Sequence, residues 1–250
     1  MDKDFYKTYF EAEKNHWWFR VRRNIILSLI KKYKVPKTVK VFDFGCGSGC
    51  TVGYLQKLGY DASGSDISLE AIEFGLSKGI RNIAAVPNLE ISPPEEAFDL
   101  ILALDVIEHI QDDSGAIRNI ERALRPGGLA VITVPAYQWL WGVQDDIAYH
   151  YRRYAIGSLT KVLKKNTKLK ILRKTYFNTF LFLPIVIVRI FSKWFNLKDR
   201  ESDFDINSRF LNSLFYFIFN LETYFLKFLN FPFGVSILLV LEKNDKSIQK

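Results

Sequence analysis

Cysteine is almost missing from this chain: Cys46 and Cys50 are the only two in 250 residues. Two thiols so close together provide neither a disulfide framework nor a four-ligand zinc set, and such usage fits a reducing cytoplasm. An apolar leader is missing as well. Met1–Tyr9 alternates charges with aromatics, so no secretory signal is expected there. Bilayer-length apolar runs are also lacking. The longest, Phe180–Val188, has Pro184 inside it and Arg189 at its end, far short of the roughly 20 residues a spanning helix needs. Acid is scarce in one stretch: Tyr151–Arg200 carries eight Lys and five Arg against Asp199 alone, a net +12, while the whole chain is +8. So local a bias points to an anionic partner met through that part of the chain. There is no internal repeat and no low-complexity linker.

What is present suffices for a core. With 48% hydrophobic and 15% aromatic residues, the chain fits one large domain, or a domain with an appendage. Strand and helix patterns alternate along it. Lys40–Phe44 reads as a buried strand, followed by a helix from about Thr51. Asp61–Gly64 leads into Ser65-Asp66, and Ser68 caps a helix carrying Leu69, Ile72 and Leu76. Ile83–Val86 and Phe98–Leu104 read as further strands. A helix near Ser114–Leu124 stops at Arg125-Pro-Gly-Gly128, a turn signal, and Leu129–Val134 is the fifth strand. Repeated strand–helix units with apolar strands predict a parallel sheet covered on both faces.

Between the first strand and its helix lies VFDFGCGSG, Val41–Gly49. Strand, glycine loop and helix in that order are the context of a nucleotide site, and Asp66 lies 21 residues beyond Gly45, where an acid fits ribose hydroxyls. A dinucleotide fingerprint would place glycine where Cys50 stands. Asp43 would repel a pyrophosphate but suits an ammonium or sulfonium group. S-adenosylmethionine (SAM) carries adenosine at one end, those cations at the other, and no phosphate.

Four blocks in order resemble the class I SAM-dependent methyltransferases: DFGCGSG (Asp43–Gly49), SDIS (Ser65–Ser68), FDLILALDVIEHI (Phe98–Ile110) and LRPGGLAVITVP (Leu124–Pro135). The resemblance covers about Val41–Pro135. It implies a doubly wound α/β fold, a seven-stranded, mostly parallel sheet of order 3-2-1-4-5-7-6, with SAM as cofactor and S-adenosylhomocysteine as product. It assigns the cofactor to Asp43, Gly45, Cys46, Gly47, Asp66, Ile67, Asn88, Leu89, Leu104 and Asp105. The third-strand loop departs from the pattern: Pro87-Asn-Leu-Glu90 offers Asn88 where many relatives place an Asp, and its side-chain oxygen can still accept from the adenine amino group.

In Asn15-His-Trp-Trp-Phe-Arg-Val-Arg-Arg23 the tryptophans can simply pack a helix onto the core. Relatives with a similar WWF…RR segment lay it over the cofactor, which makes Trp18 and Arg22 a lid, with the arginine fork on the cofactor carboxylate. The Asp105-Val-Ile-Glu-His-Ile110 block places Asp105, Glu108 and His109 on one face of a helical turn, if it enters one. His109 can then be a general base, the three can bind a divalent ion as in some quinone-ring O-methyltransferases with a similar block, or they can merely orient the loop. No metal is assigned.

His150, in Tyr149-His-Tyr-Arg-Arg-Tyr154, is the second candidate base. Arg152 and Arg153 can hold an anionic group such as phosphate, or pair with Asp145 and Asp146. Several bacterial methyltransferases of glycan and lipid-linked sugar pathways have a similar HYRRY segment. Leu169–Phe177 and Gly234–Leu241 read as closing strands, the last antiparallel in this family. The residues between them form an apolar insertion in which Asn212, Ser213, Asn220, Glu222 and Lys227 suggest amphipathic helices. These can be a dimer core, a lid over a greasy substrate or an anchor on an anionic membrane, with Phe182, Leu183 and Ile185 among the lipid contacts.

The organisation expected is an N-terminal helical cap over residues 1–39, a SAM-binding core over 40–177, the helical insertion over 178–233, and the last strand and tail over 234–250. The expected function is methyl transfer from SAM to an oxygen of a lipid-linked glycan or other amphipathic acceptor, by a cytoplasmic enzyme peripheral to the membrane. A quinone or polyprenyl-ring O-methyltransferase is the alternative, and a non-catalytic SAM-binding scaffold the alternative of another class. A nucleic-acid partner is not expected: the basic residues adjoin apolar runs and no Asn-Pro-Pro-Tyr-type block follows the fourth strand.

Overall fold

A computed structural model describes residues 3–89, 93–194 and 208–245. The ends of the expected cap and tail, Glu90, and the middle of the insertion with Lys198, Asp199 and Arg200 lie outside the described residues. Seven strands form one sheet of order β3-β2-β1-β4-β5-β7-β6, from β1 (Lys40–Phe44), β2 (Asp61–Asp66), β3 (Ile83–Ala85), β4 (Phe98–Leu104), β5 (Leu124–Pro135), β6 (Lys170–Phe177) and β7 (Ser236–Glu242). β7 runs antiparallel to both neighbours, β5 and β6, and the other pairings are parallel. Order and direction are those the resemblance implies.

Alternation along the strands separates two cores. Ile101 and Ala103 of β4 and Leu239 and Leu241 of β7 belong to one cluster, while Leu100, Leu102, Leu238 and Val240 belong to the other. A period of two puts them on opposite faces. The first face is covered by α5 (Asp113–Ala123) and α7 (Ile156–Asn166). The second is covered by α2 (Trp17–Lys32), α3 (Cys50–Lys57), α4 (Leu69–Ser77) and α9 (Arg209–Phe225). Local chemistry starts these helices as expected: the Ser68 hydroxyl accepts the Ala71 N–H at 3.1 Å, satisfying one of the orphan donors of α4.

Two local expectations change. The helix does end before Arg125–Gly128, but the fifth strand begins at Leu124, before that turn, not at Leu129. The turn is a bulge inside β5, with Gly127 at φ 76° and backbone bonds from Gly127 N to Lys243 O and from Lys243 N to Gly128 O, so an extension of β7 carries the ladder past the turn. Pro184 does not break the apolar run either. It sits in the first turn of α8 (Phe182–Trp194), where a missing N–H costs nothing.

The polar residues of α9 make it amphipathic as expected, with the polar side turned to the protein. Asn212 Oδ1 accepts from Trp17 N, Asn220 Oδ1 accepts from Asn24 Nδ2 (both 2.8 Å), and Glu222 is fully buried. They tie α9 to α2 and to the start of α8, leaving Phe210, Leu214, Phe217, Leu221 and Tyr224 exposed. The helix is amphipathic with its apolar stripe outward. Among the described residues no helix is long and apolar enough to cross a membrane.

Candidate functional site

A cavity of about 500 Å³ opens at the carboxyl ends of β1, β2 and β4, the crevice where an open α/β sheet takes its ligands. Its floor is the glycine loop. Gly45 has φ 76°, and a Cβ there would lie 2.2 Å from Val106 Cγ2, so only glycine permits the turn. Gly47 faces the open side: a Cβ there would meet nothing nearer than Glu13 Oε1 at 4.0 Å, and any side chain would enter space a ligand can use. Asp66 stands at the loop's edge, its Oδ2 accepting the Gly47 N–H at 2.7 Å and its Oδ1 the Ser68 N–H at 2.9 Å. Cys46, Ile67, Leu89 and Leu104 complete an apolar slot beside it. Asn88 is exposed and lines none of the cavity: β3 ends at Ala85, and the loop beyond turns Leu89 inward and Asn88 outward.

At the opposite end of this slot the charges gather. Asp43 is 4% exposed, and burial pushes its carboxyl up to about 8. Arg22 bonds Asp105 Oδ2 through Nη1, which also reaches the Leu104 carbonyl, while Thr133 Oγ1 donates to Asp105 Oδ1 at 3.1 Å. The slot's chemistry fits SAM. It offers an acid for ribose, apolar walls for adenine, an unobstructed glycine floor, carboxylates for cations and an arginine for a carboxylate.

Trp18 touches this cavity, but its ring is stacked between Phe177 and Phe219, with centroids 5.6 and 5.5 Å away. Packing of α2 against β6 and α9 is its main work. The residues that reach over the glycine loop, Tyr9 and Glu13, come instead from α1 (Lys3–Asn15). No sequence signal had marked them, because α1 lacks a motif and its position is set by packing.

The Asp105-Val-Ile-Glu-His-Ile block does not present one face. Asp105 adopts φ 56° and turns to Arg22, and only Ile107–His109 forms a short 3-10 turn. Glu108 and His109 meet His150 instead, the two imidazoles in edge contact at 4.5 Å. Glu108 is fully buried with neither carboxylate oxygen hydrogen-bonded, and burial raises its pKa well above the ordinary value. Ligand atoms of Glu108, His109 and His150 all lie within 4.8 Å of one another, so a divalent ion would find its donors in this set. Desolvation, with the neighbouring His150, depresses His109 to about 4, which makes it a weak base at neutral pH.

His150 is oriented. Its Nδ1 lies 2.8 Å from Asp145 Oδ1. Burial raises the Asp145 pKa, but the bonds from His150 and Arg153 outweigh it and hold this carboxyl at about 2. An ionised Asp145 requires Nδ1 to be the donor, which leaves Nε2 as the proton acceptor. Of the two readings of the arginines, the structure shows ion pairing: Arg153 Nε bonds Asp145 at 2.7 Å as that reading had it, while Arg152 Nη1 bonds Asp113, at 2.9 Å. Asp146 takes the Trp141 Nε1–H at 2.8 Å.

Beyond the histidines the cavity turns apolar, walled by Leu181, Pro184, Ile185, Val188 and Phe215. Of the three residues expected at lipid, Leu183 is exposed, Ile185 lines the cavity, and Phe182 packs on Tyr137 and Phe233.

The family described as "Methyltransferase domain" matches residues 15–173. Among curated proteins, the chain is 30% identical over 105 residues to a ubiquinone biosynthesis O-methyltransferase of Bradyrhizobium sp., covering 40% of this chain and 42% of that one. It is 31% identical over 135 residues to the protein of that name from Pseudomonas syringae, covering 48% and 57%. The chain therefore spans about half the length of these relatives. Among solved structures, a putative sarcosine dimethylglycine methyltransferase from Galdieria sulphuraria superposes with TM-score 0.62 at 16% identity, over 97% of this chain and 99% of that one.

Proposed function

The chain belongs to the SAM-dependent methyltransferases, and we propose that it methylates a ring hydroxyl of a quinone-type acceptor whose apolar tail approaches from a membrane surface. One observation carries this reading: α8 is apolar on both sides. Pro184, Ile185 and Val188 wall the cavity, while Leu183, Ile187, Ile190 and Phe191 are exposed on the outer face. A sugar acceptor would gain nothing from such a wall, whereas an aliphatic tail would. The relatives' names point the same way. The lipid-linked glycan suggested by HYRRY loses its physical support once Arg152 and Arg153 are spent on Asp113 and Asp145.

Bound SAM supplies an electrophilic methyl group. Asp66, Asp43 and Arg22 hold its two ends, and the apolar wall aligns the acceptor oxygen. His150 takes the hydroxyl proton at Nε2, with Asp145 stabilising the imidazolium. Positioning contributes most of the rate, and the base about 10²–10⁴-fold of it. The outer faces of α8 and α9 rest on lipid. Neither helix exposes an acid, Glu222 being buried, and Arg209 and Lys227 flank α9. The lysines of α7 serve a different surface, since that helix covers the opposite face of the sheet.

The test is turnover with a catechol bearing a polyisoprenoid tail, the tail-less catechol and a sugar phosphate. Loss of the tail should lower kcat/KM at least tenfold, in keeping with a few buried methylenes. Equal or faster methylation of the sugar phosphate would overturn the proposal. The buried Glu108 carboxyl, with neither oxygen hydrogen-bonded, favours a second reading, in which Glu108, His109 and His150 hold a divalent cation that polarises the acceptor hydroxyl. Titration calorimetry with Mg²⁺, Mn²⁺ and Zn²⁺, and turnover after chelation, separate it from the base mechanism.

A further inference from the structure

The cofactor slot contains a charged side chain that belongs to none of the motifs. Glu13, near the end of α1, is 8% exposed. Its Oε2 accepts the Ser48 hydroxyl at 2.5 Å, and its backbone carbonyl accepts from Arg23 Nη1. Its second oxygen, Oε1, has no hydrogen bond among the described residues and stands over the bare Cα of Gly47. Asp43 faces the same space, also without a hydrogen bond among the described residues. Asp105 differs, being already paired with Arg22.

Two such carboxyls across one buried space require a cation or a proton. An ammonium has three donors to distribute, more than Asp43 alone can satisfy. We propose that Glu13 binds the ammonium of the cofactor's amino-acid end, so that the bound cofactor pins α1 over the glycine loop. The inference rests on SAM as cofactor. It makes α1 a lid closed by ligand charge, in place of the aromatic lid expected from Trp18.

A protonation readout follows. Burial pushes Glu13 up to about 7. The groups around it are Arg22 and Arg23 of α2, Ser48 and Asp66 at the loop, Asp43 of β1, Cys50 of α3 and Tyr9 of its own helix. An arriving ammonium favours the carboxylate, so cofactor binding near pH 7 should release protons.

Calorimetry on the full chain, in buffers of different ionisation enthalpy, tests this with three probes: SAM, S-adenosylhomocysteine, and 5′-methylthioadenosine, which lacks the amino-acid end. Glu13→Gln should weaken the first two alike, by about tenfold, leave the third within about twofold, and reduce the protons released. Hydrogen exchange should show that SAM protects α1 amides in the wild type and not in the variant. Equal weakening of all three probes would mean that Glu13 only packs the helix. Weakening of SAM alone would place it at the sulfonium. Either result, or no weakening, overturns the proposal. Wild-type protein that binds none of the probes would instead refute the cofactor. If Glu13→Gln melts below the wild type without ligand, Glu13→Asp, which keeps the charge but withdraws it, replaces it in the same comparison.

Discussion

At the cofactor end of the cavity the glycine loop and its short acids stand at the tips of β1, β2 and β4, with only Arg22 and Glu13 brought over them from α2 and α1, whereas at the acceptor end every working group is a long side chain from helices and loops far apart in sequence. Asp66 is held by two N–H groups within nineteen residues of it, Gly47 and Ser68. His150 is held by Asp145, but it works against Glu108 and His109, about forty residues earlier, and beside a wall from α8. The first construction is stiff and carries recognition. The second can vary residue by residue, which lets one sheet serve many acceptors.

The largest effect that would sharpen this contrast is expected at His150. His150→Ala should lower turnover by about 10²–10⁴-fold while SAM affinity stays within a few-fold. A loss of SAM binding as large as the loss of turnover would break the division between the two ends. Asp66→Ala tests the other side: SAM affinity should fall by about 10–100-fold, the size of lost charge-assisted hydrogen bonds, as read by calorimetry.

The outer face of α8 comes next. Replacing Leu183, Ile187 and Phe191 by Ser should reduce flotation with anionic vesicles by roughly tenfold or more, since each buried apolar side chain is worth about 1.5–3 kcal/mol. Raised salt should weaken wild-type binding as well. A stable dimer that ignores every vesicle would make this face a subunit contact.

The smallest effect concerns Glu222, which holds the start of α8 by accepting the Phe180 N–H at 2.7 Å. Burial raises its pKa to about 7 from the ordinary 4.5. The folded protein therefore keeps a proton that the unfolded chain releases between those values. That stabilisation is complete below about 4.5 and is lost as pH rises through 7. Glu222→Gln should leave the melting temperature nearly unchanged at pH 5 and raise it by a few degrees at pH 8. A variant parallel to the wild type at both pH values would show that this carboxylate is fully compensated.

The strands, the glycine loop between β1 and its helix, and the Ser68 cap were legible because each is set within a short window, by side-chain period, by φ or by one local hydrogen bond, whereas the strand order came from the resemblance to a family and not from any local signal. His150 stood out as a candidate base by residue type alone. Its partners were not legible. Asp105 left the expected face because a left-handed backbone turned it to Arg22, 83 residues away. The polar scatter of α9 marked an amphipathic helix but not what its polar side meets, and the fold spent it on Trp17 and Asn24 about 195 residues away. Glu13 carried no signal until α1 was laid over the loop. Sequence alone decides where this chain can form a strand, a helix or a tight turn, because those energies are local. Which charges end up neutralised and which face of a helix stays bare is decided by burial, which exists only once distant segments have packed.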